Sequence, residues 1–277
     1  MRLSYLGILA ALLLAAPAFA APPKPAPAAA KPAPKVDTAG AITKLKSGDE
    51  GQIRQALDDL RVAGPAAANA AGEVSSLLNK GLNDVLTVQA IDTLGDLESP
   101  DGSPVLALYS THRNVALRRA SVKAMVRTKG PAAATALRRA LGDQDAQVRG
   151  VAASGLGALK AKDAVPDLFI ALDHKVAEAA ASIGQLCNPE QCEQLAQKIG
   201  KLPFDVVTGG LEQVLARSAA DMPDDAKIKI IGRVREMGTG EANRFLKDVQ
   251  ARLPKETSAR IKQAIEQAIK ATTGGSQ

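Results

Sequence analysis

The sequence predicts an all-α stack of antiparallel helix hairpins, an α-solenoid, and three observations predict it. A ten-residue string returns along the chain, and its clearest copies lie 31 residues apart. Within each copy the apolar residues recur three and four positions apart, which is one face of a helix. A second apolar segment with proline near its start follows each of the three clearest copies.

The N-terminus comes first. Arg2 precedes an apolar run, LSYLGILAALLLAA, from Leu3 to Ala16. Pro17 breaks the run, and Ala18-Phe19-Ala20 forms an A-x-A cleavage pattern. The run falls short of the ~20 apolar residues that span a membrane. Residues 1–20 are therefore expected to be a cleaved signal peptide, cut after Ala20, and the mature protein to be periplasmic or secreted without a membrane span. No cysteine follows the A-x-A, so the bacterial lipoprotein pattern is missing. Residues 21–40 alternate Ala, Pro and Lys before a short polar end. Such a segment cannot build a core, and proline keeps it extended, so it reads as a spacer.

Charge follows this division. The chain carries a formal +6. Without Arg2 and the spacer lysines Lys24, Lys31 and Lys35, only +2 remains. The mature chain keeps four aromatic residues, Tyr109, Phe169, Phe204 and Phe245, and has no tryptophan. A nucleic-acid surface would need clustered cations and stacking rings, so that class of partner is excluded.

The repeat occupies most of residues 41–272. LTVQAIDTLG (Leu86 to Gly95), LRRASVKAMV (Leu117 to Val126) and VRGVAASGLG (Val148 to Gly157) fall in register, and KVAEAAASIG ends at Gly184 after a shortened step of 27. Looser copies begin at Ile53 and Ile228. Gly95, Gly157, Gly184 and Gly238 are expected to cap helix ends in the left-handed conformation. The second helices are SPVLALYSTH (Ser103 to His112), PAAATALRRAL (Pro131 to Leu141) and VPDLFIALDH (Val165 to His174). Pro104, Pro131 and Pro166 fall in their first turns, where a missing N–H costs little. One hairpin cannot bury its apolar face alone, and stacked neighbours make a continuous core. In FDVVTGGLEQVLARSAAD, Phe204 to Asp221, Gly209-Gly210 suggests a bend, and the place of the segment in the repeat is open. Ile261, Ile265 and Ile269 predict an amphipathic closing helix. Residues 273–277 read as a disordered tail.

The string D-x-x-x-x-V-R-x-x-A-A-x-x-L-G at Asp143 to Gly157 resembles HEAT repeats, in particular short bacterial HEAT-like ones. The resemblance spans about Thr43 to Lys270. It implies a polar ladder between repeats, matched by Asp143, Arg149, Arg118 and Arg54 but interrupted at Thr87 and Val176. It also implies that the second helices line a concave, partner-binding surface. One HEAT-like branch attaches bilin pigments to proteins, which keeps a lyase-type enzyme as an alternative.

Candidate residues follow. Cys187 and Cys192 are the only cysteines, an even pair in a chain expected to be exported, and are expected to form a disulfide that staples a hairpin. His112 and His174 lie 62 residues apart, two repeats, too far to share a metal, and are expected to sit at second-helix ends. Asp58-Asp59, Asp143 with Asp145, and Asp224-Asp225 read as caps at turns or helix starts rather than acid–base pairs. No phosphate loop, nucleophile elbow or zinc-protease motif is present, so no catalytic residue, metal site or cofactor is expected. If Leu106, Leu137 and Leu168 face the core, the next positions, Ala107, Arg138 and Phe169, turn away from it, flanked by Arg139 and Ile170. Phe169, Arg138, Arg139 and nearby Tyr109 are the expected partner contacts. The expected function is an exported, non-enzymatic scaffold or accessory module that binds another envelope or secreted protein. A cell-wall or carbohydrate binder is a further alternative, weakened by the lack of stacking aromatics.

Overall fold

Asp37 is the first of the described residues: its carboxylate accepts from the Gly40 amide and caps α1 (Thr38–Leu45). The computed structural model describes residues 37–273, which form helices joined by short turns, with no strand among them. Residues 38–40, expected to end the spacer, are thus already helical. The expected signal peptide, most of the spacer and residues 274–277 lie outside the described residues.

The helices alternate between two layers. The first layer holds α2 (Glu50–Ala63), α4 (Asp84–Leu97), α6 (Val115–Thr128), α8 (Ala146–Ala158), α10 (Glu178–Leu186), α12 (Phe204–Ala216) and α14 (Gly240–Arg252). The second holds α3 (Ala71–Lys80), α5 (Ser103–Tyr109), α7 (Pro131–Ala140), α9 (Val165–Asp173), α11 (Pro189–Ala196), α13 (Asp224–Glu236) and α15 (Ala259–Thr273). A short 3-10 segment, Gly64–Ala70, joins α2 to α3. The core lies between the layers and is made of Leu, Val, Ile and Ala. Leu106, Leu137 and Leu168 are fully buried in it, as their phase predicts. Ile261 and Ile265 are buried under α15 and Ile269 packs beside them, so α15 closes the stack.

Polar side chains repeat with the fold. Asn83, Asn114 and Asp145 cap α4, α6 and α8 at 31-residue spacing, each accepting from an amide of the first turn. Such a cap stabilises by about 1 kcal/mol. Pro104, Pro131 and Pro166 sit in the first turns of α5, α7 and α9.

Several expectations are corrected. Gly95, Gly157 and Gly184 lie inside helices rather than at left-handed caps. The positive φ angles fall instead on Glu98 (51°), Lys129 (60°) and Lys160 (55°), again 31 residues apart; of the predicted glycine caps only Gly238 (61°) has one. The buried glycines serve close approach. A Cβ on Gly184 would overlap the carbonyl oxygen of Gly210, and one on Gly210 would overlap that of Ala180. So α10 and α12 meet backbone to backbone, and Gly209-Gly210 lies within one uninterrupted helix, not at a bend. This contact puts α12 in the first layer. It also moves α13, which begins near the copy expected at Ile228, to the second layer against α11. Asp58 and Asp59 are mid-helix in α2, where they engage Gln89 and Lys44.

The first helices from α4 to α12 pack directly on one another, whereas α7 and α9 stand apart.

Candidate partner-binding face

The second helices present one exposed column. An α-helix turns about 100° per residue. The residue after each inward leucine therefore points along the seam with the neighbouring repeat, and the one after that points away from the core. Phe169 follows Leu168 and is only 7% exposed, so it packs into the core and is not a surface contact. Ala107, in the same column, is half-buried. Arg138 escapes along the seam because its stem is long. Its Nε donates to Asp167 at 2.6 Å and its Nη1 to Asp163 at 3.0 Å, tying α7 to the next repeat.

The outward column is Leu108, Arg139 and Ile170. Leu108 is 67% exposed and Ile170 59%. Arg139 is exposed and makes no side-chain hydrogen bond or ion pair with the described residues. Of the expected contacts, then, Arg139 is free, Arg138 is paired and Phe169 is buried. Tyr109 is half-buried; its hydroxyl donates to the Leu78 carbonyl of α3 at 2.9 Å, and burial raises its pKa. Tyr109 pins α5 to the preceding repeat. Leu108, which the sequence reading passed over, could have been found by its register with Arg139 and Ile170.

Two clefts border Arg139. One, of about 560 Å³, separates α7 from α9 and is lined by Arg138, Arg149, Asp167, Ile170 and His174 among others. The other, of about 470 Å³, lies between the ends of α5 and α7 and includes His112, Arg113, Arg118 and Asp143. Arg118 grips Asp143 with two hydrogen bonds, of 2.8 and 3.0 Å. Burial pushes the Asp143 carboxyl up, but the Arg118 fork and the Asp145 amide outweigh it and leave the pKa lowered. Arg119 holds Asp145 at about 2. His112 accepts from the Asn114 amide through Nδ1, as Asp143 does from the Asp145 amide one repeat later.

The first-layer side carries a shallow apolar trough of about 530 Å³ across α6, α8 and α10, lined by Val126, Val151, Ser154 and Ala158 with Lys123 at its rim. Its small residues are explained by close packing: a Cβ on Gly155 would press on Val126.

Cys187 caps α10 and Cys192 lies in α11. They are bonded as a disulfide, with Cα atoms 5.4 Å apart, and both are buried. The Asn188 capping box turns the chain between them, and Arg217 donates to the Cys187 carbonyl at 2.7 Å. Among the described residues no group of three or more His, Cys, Asp or Glu gathers as metal ligands. No helix of theirs is long and apolar enough to cross a membrane.

Residues 73–156 match the family model of HEAT repeats. Over these residues the chain is similar to HEAT repeats. No curated protein matches it. Solved structures similar to it are repeat solenoids. A chain of the complex of CpcE and CpcF of phycocyanin lyase from Nostoc sp. PCC7120 is 19% identical over 90% of this chain and 98% of that one, with a TM-score of 0.45. A designed armadillo repeat protein is 16% identical over 84% and 98%, with a TM-score of 0.41. A chain of a homology model of the full-length AP-3 complex, in an intermediate open conformation, is 14% identical over 84% of this chain and 50% of that one, with a TM-score of 0.53. Of these three only the last has a TM-score above 0.5, and at 14% identity it shows the fold alone.

Proposed function

We propose that this chain is an exported protein-binding scaffold, and that its contact surface is the exposed column of the second helices. The observation that carries the reading is the column Leu108, Arg139 and Ile170: on three successive repeats, two exposed apolar side chains flank a guanidinium that no described residue pairs. Exposed apolar groups grouped with arginine are the usual composition of an interface centre. A rigid stack holds them in register without catalytic machinery. Export is supported by the signal-peptide pattern of residues 1–20 and by the buried disulfide, a bond that persists in oxidising compartments.

The test is site-specific photocrosslinking in cells expressing the full chain. A photoreactive residue at position 108 or 170 should trap one discrete envelope or secreted protein. The same residue at Ser154, in the first-layer trough, should not. Trapping at 154 alone would move the interface to the trough, and no protein adduct at any position would refute the scaffold reading. N-terminal sequencing of the mature chain should begin at Ala21.

A further inference from the structure

Arg118 of α6 and Arg149 of α8 hold equal places one repeat apart and are anchored alike. Arg118 donates through Nη1 to the carbonyls of His112 and Arg113 at 3.0 and 3.3 Å, and its Nε and Nη2 grip the Asp143 carboxylate. Arg149 donates through Nη1 to the carbonyls of Asp143 and Gln144 at 2.8 and 2.9 Å. Its guanidinium is thus fixed in the same manner. The difference lies in the partner. Asp143 stands 25 residues beyond Arg118, whereas the residue 25 beyond Arg149 is His174. No carboxylate among the described residues pairs with Arg149, so the Nε and Nη2 edge that Arg118 fills is unmatched here.

Arg149 lines the cleft between α7 and α9. Arg138, Arg139 and His174 line it too, and Asp167, which Arg138 engages, is the single carboxylate among the lining residues. Leu141, Ile170 and Ala171 supply apolar wall. The cleft therefore has an excess of cations, a pre-positioned arginine fork and an exposed apolar edge at Ile170.

We infer that this cleft receives an aspartate or glutamate side chain from a partner polypeptide, which takes the place that Asp143 fills one repeat earlier. The inference deepens the scaffold reading and rests on it for the nature of the ligand. A planar guanidinium already held on one side loses little freedom when it grips a carboxylate with its other edge, and such forked pairs are the stronger class of hydrogen bond. An apolar residue beside the acid would lie on Ile170.

The test uses the full chain and the peptide acetyl-Leu-Asp-Leu-amide, followed through the Arg149 Nε–H resonance. That resonance should shift with a dissociation constant on the order of 1 mM, and the Asn analogue should bind at least about tenfold more weakly. His174→Asp should supply the carboxylate from within the chain: the Arg149 resonance moves towards that of Arg118 and peptide affinity falls about tenfold or more. Arg149→Lys, which keeps the charge but loses the fork, should also weaken binding. Equal binding of the Asn analogue, or undiminished binding by Arg149→Lys or His174→Asp, would overturn the inference. Loss of the peptide response with crosslinks at 108 and 170 intact would sink this site and leave the scaffold reading standing. Peptide binding without any crosslink would do the reverse.

Discussion

Replacing Gly184 with alanine tests the stacking of repeats at its tightest point. The added Cβ would overlap the Gly210 carbonyl oxygen, lie 2.8 Å from the Gly210 carbonyl carbon and 3.0 Å from the Gln213 Cβ. Two of these atoms are backbone and cannot rotate aside, so α12 must move bodily from α10. Overpacking of this kind costs about 1–3 kcal/mol, and an unyielding neighbour places it at the upper end. Alanine gains about 1 kcal/mol over glycine within a helix. The net loss is about 2 kcal/mol, a fall in Tm of roughly 4–8 °C for a chain of this size. Gly232 in α13 is the control, since a Cβ there meets nothing within 4 Å. Gly232→Ala should gain about 1 kcal/mol and raise Tm by roughly 2–4 °C. Thermal unfolding followed by far-UV circular dichroism reads both. One substitution type giving opposite signs would support the close contact. If Gly184→Ala were as stable as the parent, α10 and α12 would not meet backbone to backbone.

Other outcomes follow from the same structure. Cys187→Ser with Cys192→Ser removes a short-range staple and should cost about 2 kcal/mol on the chain-entropy model; free-thiol titration of the parent, unreduced, should find none. Asp145 has its folded-state pKa lowered to about 2, so its contribution is full above about pH 4 and is lost as pH falls towards 2; the Asp143 pKa is lowered too, so its contribution is lost in the same direction. Asp145→Asn should flatten that part of the acid denaturation curve. Lys129 has φ 60° and ψ −160°, a region natural to glycine, so Lys129→Gly should stabilise by about 1 kcal/mol in urea unfolding.

The hairpin stack was legible because its causes are local and repeated. The 31-residue period, the inward leucines and the N-terminal prolines each write themselves into residue type, and the paired cysteines mark their own turn. What the sequence obscured depends on the neighbour. Gly95, Gly157 and Gly184 read as helix ends, yet the glycine at 184 answers to a carbonyl on another helix. The left-handed positions fell on Glu98, Lys129 and Lys160, residue types that carry no such mark. After residue 200 the period fails, and only the contact of α12 with α10 shows which layer each later helix joins. At the candidate face, helical phase points Ala107, Arg138 and Phe169 outward, whereas the structure exposes Leu108, Arg139 and Ile170 most directly. Phe169 has the residue type of a contact, but the seam buries it.

Hydrogen–deuterium exchange of the full chain, alone and with its crosslinked partner protein, tests the assigned face most directly. Protection should appear over α5, α7 and α9, the turns that follow α7 and α9 and the first turn of α8 around Arg149, with α6 and the rest of α8 unchanged. Protection confined to α6, α8 and α10 would place the partner on the opposite side and contradict the account.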